Sequence, residues 1–252
     1  MKQLLSGKKI IKSFGVGEEK HRVLNEVSVT IGCGEFVSVM GPSGSGKSTL
    51  LYALSGMDDI DSGEVIFEGR NLSDLSDDAL SDLRRSRMGF VFQQPTLLKN
   101  LNILDNIILP QTRDHHKNVK QLAQKARLLM RQMGIEDLEE RDITQVSGGQ
   151  LQRAGICRAL MSEPEIVFGD EPTGALNTKT AKEIMELFTR INEDGIAILL
   201  VTHDPNIAAR TERVLFLCDG EIVDECRLSK LTGGDFDKRV SEITKRMQNI
   251  GI

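Results

Sequence analysis

The stretch VMGPSGSGKSTLL, residues 39–51, places three glycines, three serines and a proline between two apolar runs and adds a lysine. A flexible linker has that composition, and so does a loop wrapped around phosphate. The flanks separate the two readings. Ahead of it, EFVSVM (35–40) is rich in the valine and phenylalanine of a buried strand. Behind it, STLLYALSG (48–56) reads as a helix closed by Gly56, and a linker does not run straight into an apolar helix. Residues 41–48, GPSGSGKS, therefore fit G-x-x-x-x-G-K-[ST] in the strand-to-helix context that the pattern requires. Across Gly41, Pro42, Ser43, Gly44, Ser45 and Gly46, backbone N–H groups can turn inward toward phosphate oxygens. The helix beginning near Lys47, Ser48 and Thr49 adds its partial positive charge. Lys47 is placed to reach the β- and γ-phosphates, and the Ser48 hydroxyl to ligate Mg²⁺. The expectation is a nucleoside triphosphate cradle.

A phosphate cradle alone fits many kinds of enzyme, and a second motif narrows the choice. EIVFGDEP (165–172) puts two carboxylates at the end of an apolar strand, where an open α/β sheet holds its ligands. Asp170 can hold Mg²⁺, directly or through water. Glu171 points elsewhere and can take a proton from an attacking water.

Working outward, SGEVIFEG (62–69) reads as a strand bounded by glycines, and residues 23–40 as short strands. From about 97 to 160 the texture becomes helical, with a stripe of Val119, Leu122, Ala126, Leu129 and Met133 that Gly134 ends. Strand signals return at EIVFGD and AILLVTHD, separated by a helix with Ile184, Leu187, Phe188 and Ile191 on one face. Asp219-Gly220 inside VLFLCDGEIVDE signals a hairpin. A final helix over 235–248, with Phe236, Val240, Ile243 and Met247 at helical spacing, reads as a tail packed on its own domain. Alternating strands and helices favour a mostly parallel sheet wrapped by helices, with a helical insertion.

The bulk properties exclude several classes. A net charge of −5 over 252 residues does not suit a protein that coats nucleic acid, and RRSR (84–87) reads as a solvated helix end. No apolar run approaches the roughly 18–20 residues needed to cross a bilayer. The N-terminus lacks a signal-peptide core. Four cysteines without metal or disulfide spacing fit reduced thiols in cytosol, with Cys157 and Cys218 reading as small core residues.

The remaining motifs resemble those of the ATP-binding cassette (ABC) ATPases. VSGGQLQRAGICRAL (146–160) is similar to that family's signature motif, with Val146 where leucine is usual. It stands about twenty residues before DEPTGALN. GFVFQQPTLL (89–98) resembles the Q-loop, GALN (174–177) the D-loop with Asn177 in place of the more frequent aspartate, and LLVTHD (199–204) the segment carrying the switch histidine. The resemblance implies a P-loop α/β fold with a mostly parallel core sheet, an N-terminal antiparallel β region and a helical insertion. It covers residues 5–226, with the insertion at about 97–160, and leaves 227–252 as a C-terminal helical tail.

It further implies ATP and Mg²⁺ as cofactors, with Glu171, His203 and Gln93 as catalytic residues and Ser48, Gln93 and Asp170 around the metal. Phe14 is implied to stack on adenine, a position often held by tyrosine. Ser147, Gly148, Gly149 and Gln150 are implied to grip the γ-phosphate held by a second copy, so that a homodimer sandwiches two ATP molecules. His21, His115 and His116 have no such context and read as surface residues. The implied protein is an ATPase, cytoplasmic and peripheral on the inner face of the cell membrane, that drives separate transmembrane permease subunits and does not act on nucleic acid. Within the family the motifs look like the branch serving lipoprotein release, macrolide-type efflux, antimicrobial-peptide resistance and cell division, and PTGALN leans toward peptide resistance. The alternative is an ATP-driven regulator of cell division or cell-wall hydrolases that acts through a membrane partner without transport; a soluble ABC ATPase acting on nucleic acid is the less favoured one.

Overall fold

The computed structural model describes residues 2–113, 118–231 and 234–251. Two sheets organise it. The first is antiparallel, in the order β2-β1-β4-β5, from β1 (Gln3–Phe14), β2 (His21–Gly32), β4 (Ser62–Phe67) and β5 (Arg70–Asn71). The second has the order β10-β9-β3-β8-β7-β6 and comprises β3 (Phe36–Met40), β6 (Met88–Phe92), β7 (Ile166–Asp170), β8 (Ala197–Val201), β9 (Arg213–Cys218) and β10 (Glu221–Arg227). Its strands pair in parallel from β9 to β6, and only β10 runs antiparallel. An N-terminal antiparallel region beside a mostly parallel core sheet is the architecture the motifs implied.

Apolar side chains alternate between the two faces of this sheet. In β8, Ala197, Leu199 and Val201 point into one cluster, shared with the antiparallel sheet and α1 (Lys47–Leu54). Ile198 and Leu200 point into the other. With both faces covered, the strands read as near-continuous hydrophobic runs. That second cluster also holds α3 (Ile103–Thr112), α4 (Val119–Gln132), α5 (Gly148–Leu160) and α6 (Thr178–Glu193), so the helices of the expected insertion and the sheet share one core. Of the expected stripe, Leu122, Ala126, Leu129 and Met133 pack into this cluster; Val119 is exposed instead, and Met130 joins them fully buried.

RRSR ends α2 (Asp77–Arg87), where its charges suit the helix dipole. The end is not wholly solvated, because Arg84 donates to the Gly56 carbonyl at 2.6 Å. Asp219 (φ 47°) and Gly220 (φ 78°) turn the β9–β10 hairpin as anticipated. The tail helix α8 (Phe236–Asn249) packs on α7 (Pro205–Ala208), β9 and β10 through Ile243, Phe236, Val240 and Met247. Cys157 and Cys226 are buried, whereas Cys218 is only partly so. His115 and His116 lie outside the described residues. Among the described residues no helix is long and apolar enough to cross a membrane.

Candidate active site

The phosphate loop, the two carboxylates, Gln93 and His203 lie at or just past the carboxyl ends of parallel strands, and Phe14 ends β1 of the antiparallel sheet. Residues 41–46 leave β3 and turn into α1. Gly46, at φ 98°, takes the left-handed conformation that lets the chain enter the helix with its N–H groups outward. Gly41 is required for a different reason: a Cβ there would collide with the Leu217 carbonyl oxygen of β9. The β9–β10 turn holds the loop from behind, with Gly220 N–H donating to the Ser45 carbonyl at 3.2 Å.

The loop, the first turn of α1, Phe14, Glu171 and His203 enclose a cleft of about 760 Å³. That is within the range of small-molecule sites. Gly41, Pro42, Ser43, Gly44, Gly46, Lys47, Ser48 and Thr49 all line it, but Ser45 is buried behind the loop. Lys47 Nζ donates to the Pro42 carbonyl at 2.7 Å, bent over the loop. Burial lowers the Lys47 pKa, and the nearby Glu171 and Asp170 carboxylates oppose the shift. Phe14 is half exposed, and the Lys12 ammonium stands 5.1 Å from its ring centroid.

The two carboxylates differ in their surroundings. Asp170, at the end of β7, accepts from Ser48 Oγ–H at 2.8 Å and from Tyr52 Oη–H at 2.7 Å. It is held behind the cleft by two neutral donors. Tyr52 was not read from the sequence as a site residue, although its spacing of four from Ser48 on one helix puts both on the same face. Its phenol pKa is pushed up to about 12 by burial and by the hydrogen bond and charge of Asp170.

Glu171 stands at φ 45°, a left-handed conformation that costs a non-glycine residue about 1–2 kcal/mol, and such strain concentrates at functional sites. Its N–H donates to the Val201 carbonyl at 3.0 Å, and its Oε1 lies 3.1 Å from His203 Nδ1. A Cβ on Gly174 would stand 2.8 Å from Gln93 Nε2 and 3.2 Å from Glu171 Oε2, so these two side chains converge there. Glu171, His203 and Gln93 come from three strand ends, with β8 between the strands that carry the phosphate loop and Asp170.

Ser147, Gly148, Gly149 and Gln150 do not line this cleft. Ser147 caps α5 in a reciprocal box: its Oγ accepts from Gln150 N–H at 3.4 Å, and Gln150 Oε1 accepts from Ser147 N–H at 2.8 Å. Gly149 lies against Thr180, where a Cβ would be 2.5 Å from its methyl group. Asn177 caps α6 by accepting from Thr180 N–H at 3.0 Å. The signature turn and the D-loop therefore form one packed unit. Gln152, buried on α5, donates to the Phe92 carbonyl at 3.0 Å and ties that unit to the residue before Gln93. Its polarity hid this role in the sequence.

The chain is similar to known proteins along most of its length. The family model described as ABC transporter matches residues 24–174. The macrolide export ATP-binding/permease protein MacB of Pasteurella multocida (strain Pm70) is 37% identical over 247 residues, 98% of this chain and 37% of that protein. Its counterpart from Neisseria gonorrhoeae (strain ATCC 700825 / FA 1090) is 41% identical over 222 residues, 88% of this chain and 34% of that protein. The chain thus spans about a third of the length of these curated relatives. A solved dimeric, post-hydrolysis state of the ATP-binding cassette MJ0796, bound to ADP and Pi, superposes with a TM-score of 0.81 at 38% identity, covering 90% of this chain and all of the other.

Proposed function

This chain belongs to the ABC transporter family, and from that premise we propose that it binds and hydrolyses ATP as a homodimer and drives a separate transmembrane permease. The observation that carries the reading is the division of the site. A lysine-bearing loop, a candidate base and a histidine share one cleft, while the serine-glycine turn does not line it. A second copy supplies that turn.

In this reading the loop N–H groups and Lys47 hold the β- and γ-phosphates. Glu171 accepts the proton of the attacking water, and His203, which lies against it, fixes its carboxylate and contacts the γ-phosphate. Gln93, converging on Glu171 at Gly174, orients the water. The Ser48 hydroxyl, hydrogen-bonded to the Asp170 carboxylate, and the Gln93 carboxamide oxygen are hard donors of the kind that fits Mg²⁺. Bound there, Mg²⁺ would neutralise charge on the phosphate oxygens. Across the dimer Ser147, Gly148, Gly149 and Gln150 present a helix N-terminus to the γ-phosphate, and Phe14 stacks on adenine.

The permease docks in the groove bordered by α2, β6, α3 and α5, lined by Met57, Met88, Phe90 and Phe92. Gln152 carries motion from this side of β6 to the signature turn. The protein works from the cytoplasmic face of the membrane. Its cargo is an antimicrobial peptide or a macrolide-like compound, the latter supported by the names of the MacB relatives. The test is Glu171→Gln, which is expected to bind ATP, lose turnover by at least about 100-fold and run as a dimer on size exclusion only with ATP. Unchanged hydrolysis would remove Glu171 as the base.

A further inference from the structure

The tail helix α8 reaches the nucleotide cleft. Met247, in its last turn, lines the same cleft as Lys47 and Phe14. The helix is fixed there by its own packing: Ile243 is fully buried, Arg246 pairs with Asp224 at 2.9 Å, and the buried Arg239 donates to the Thr211 carbonyl. Its cluster includes Met40, the residue immediately before Gly41, and Ala208 and Ala209, which follow the His203 segment. At its other end Phe236 lines the neighbouring cleft beside His203 and Asp204. The tail thus borders the nucleotide cleft at Met247 and the neighbouring cleft at Phe236, and a thioether has no hydrogen-bond donor to offer a phosphate.

We infer that Met247 is a nucleotide-contacting residue, closing over the nucleoside part of the bound molecule and making the tail helix a wall of the binding site. This rests on the ATP-binding reading above. A partly buried methionine at that position buries apolar surface against base or ribose, and nucleotide affinity then depends on the placement of α8. The tail becomes a second point, beside Phe14, at which the protein grips the part of ATP that does not react.

The experiment uses the full chain, kept dilute enough to remain monomeric, with ADP as the probe. Peroxide oxidation of Met247 is followed by mass spectrometry, with the exposed Met57 as internal reference. ADP is expected to slow oxidation of Met247 at least about threefold and leave Met57 unchanged. Met247→Ala is expected to weaken ADP binding by about three- to tenfold in calorimetry, with exposed Lys245→Ala as an unaffected control. If ADP binds the wild type normally while Met247 oxidises at its free rate and Met247→Ala binds as tightly, the inference is overturned. Protection by ATP alone, together with dimer formation, would assign the cover to a second copy and overturn it equally. A wild type that binds neither ADP nor ATP would instead refute the ATPase reading itself.

Discussion

Tyr52 is the only tyrosine in a chain without tryptophan, so its ionisation can be followed alone by phenolate absorbance. Its hydroxyl donates to Asp170 at 2.7 Å, and burial together with that contact raises its pKa from 10 to about 12. Burial, the largest cause of that shift, penalises the phenolate and does not measure the contact. A hydrogen bond to a charged acceptor is worth about 1.5–3 kcal/mol, and partial solvent exposure puts this one at the lower end, about 1.5 kcal/mol. Tyr52→Phe keeps the ring and removes the donor, and is expected to cost about that much in denaturant unfolding.

The sign follows from the raised value. The stabilisation is fully present below pH 10 and is lost as pH rises through about 12, so the gap between wild type and Tyr52→Phe should close over that window. Asp170→Asn should bring the phenol part of the way back toward 10, because burial, the largest cause, remains. A folded protein whose phenol titrates at 10, or a gap that stays constant with pH, would refute the contact between α1 and the end of β7.

Two further outcomes follow from the same geometry. Asn177→Ala should lower unfolding free energy by about 1 kcal/mol through loss of the α6 cap. Asn177→Asp should match or slightly exceed the wild type, since aspartate caps equally well and suits the helix dipole; denaturant midpoints of the three proteins check this. The lowered pKa of Lys47 must rise again when phosphate settles on it, so ATP affinity should be full below that lowered value and decline as pH climbs past it. Calorimetry in buffers of different ionisation heat would register the accompanying proton uptake.

The sequence carried the phosphate loop, the paired carboxylates and the parallel sheet because each depends on local order: a strand, a turn, a helix start. It carried less of what depends on distant packing. β1 runs for twelve residues, but Lys8 and Lys9 interrupt its apolar pattern, and register shifts flank them. Lys12 is buried in the same strand because Asp58 neutralises it at 2.7 Å. Asn106 looks like a surface residue, yet it is buried, accepting from Leu98 N–H and donating to three carbonyls of the 98–102 turn. Polar side chains of this kind read as solvent-facing until the fold supplies their partners. Asn177, where the resembling family more often has aspartate, is a helix cap, a role that its place in a short GALN turn did not announce.

The central claim is that each ATP is gripped by Lys47 of one copy and Ser147 of the other. Mixing Ser147→Arg chains with Lys47→Ala chains, each inactive alone, builds a dimer with one intact composite site. Recovery of up to about a quarter of wild-type ATPase activity is expected, since half the mixed dimers carry one working site of two. Complete absence of recovered activity in a mixture whose chains demonstrably pair would contradict the account.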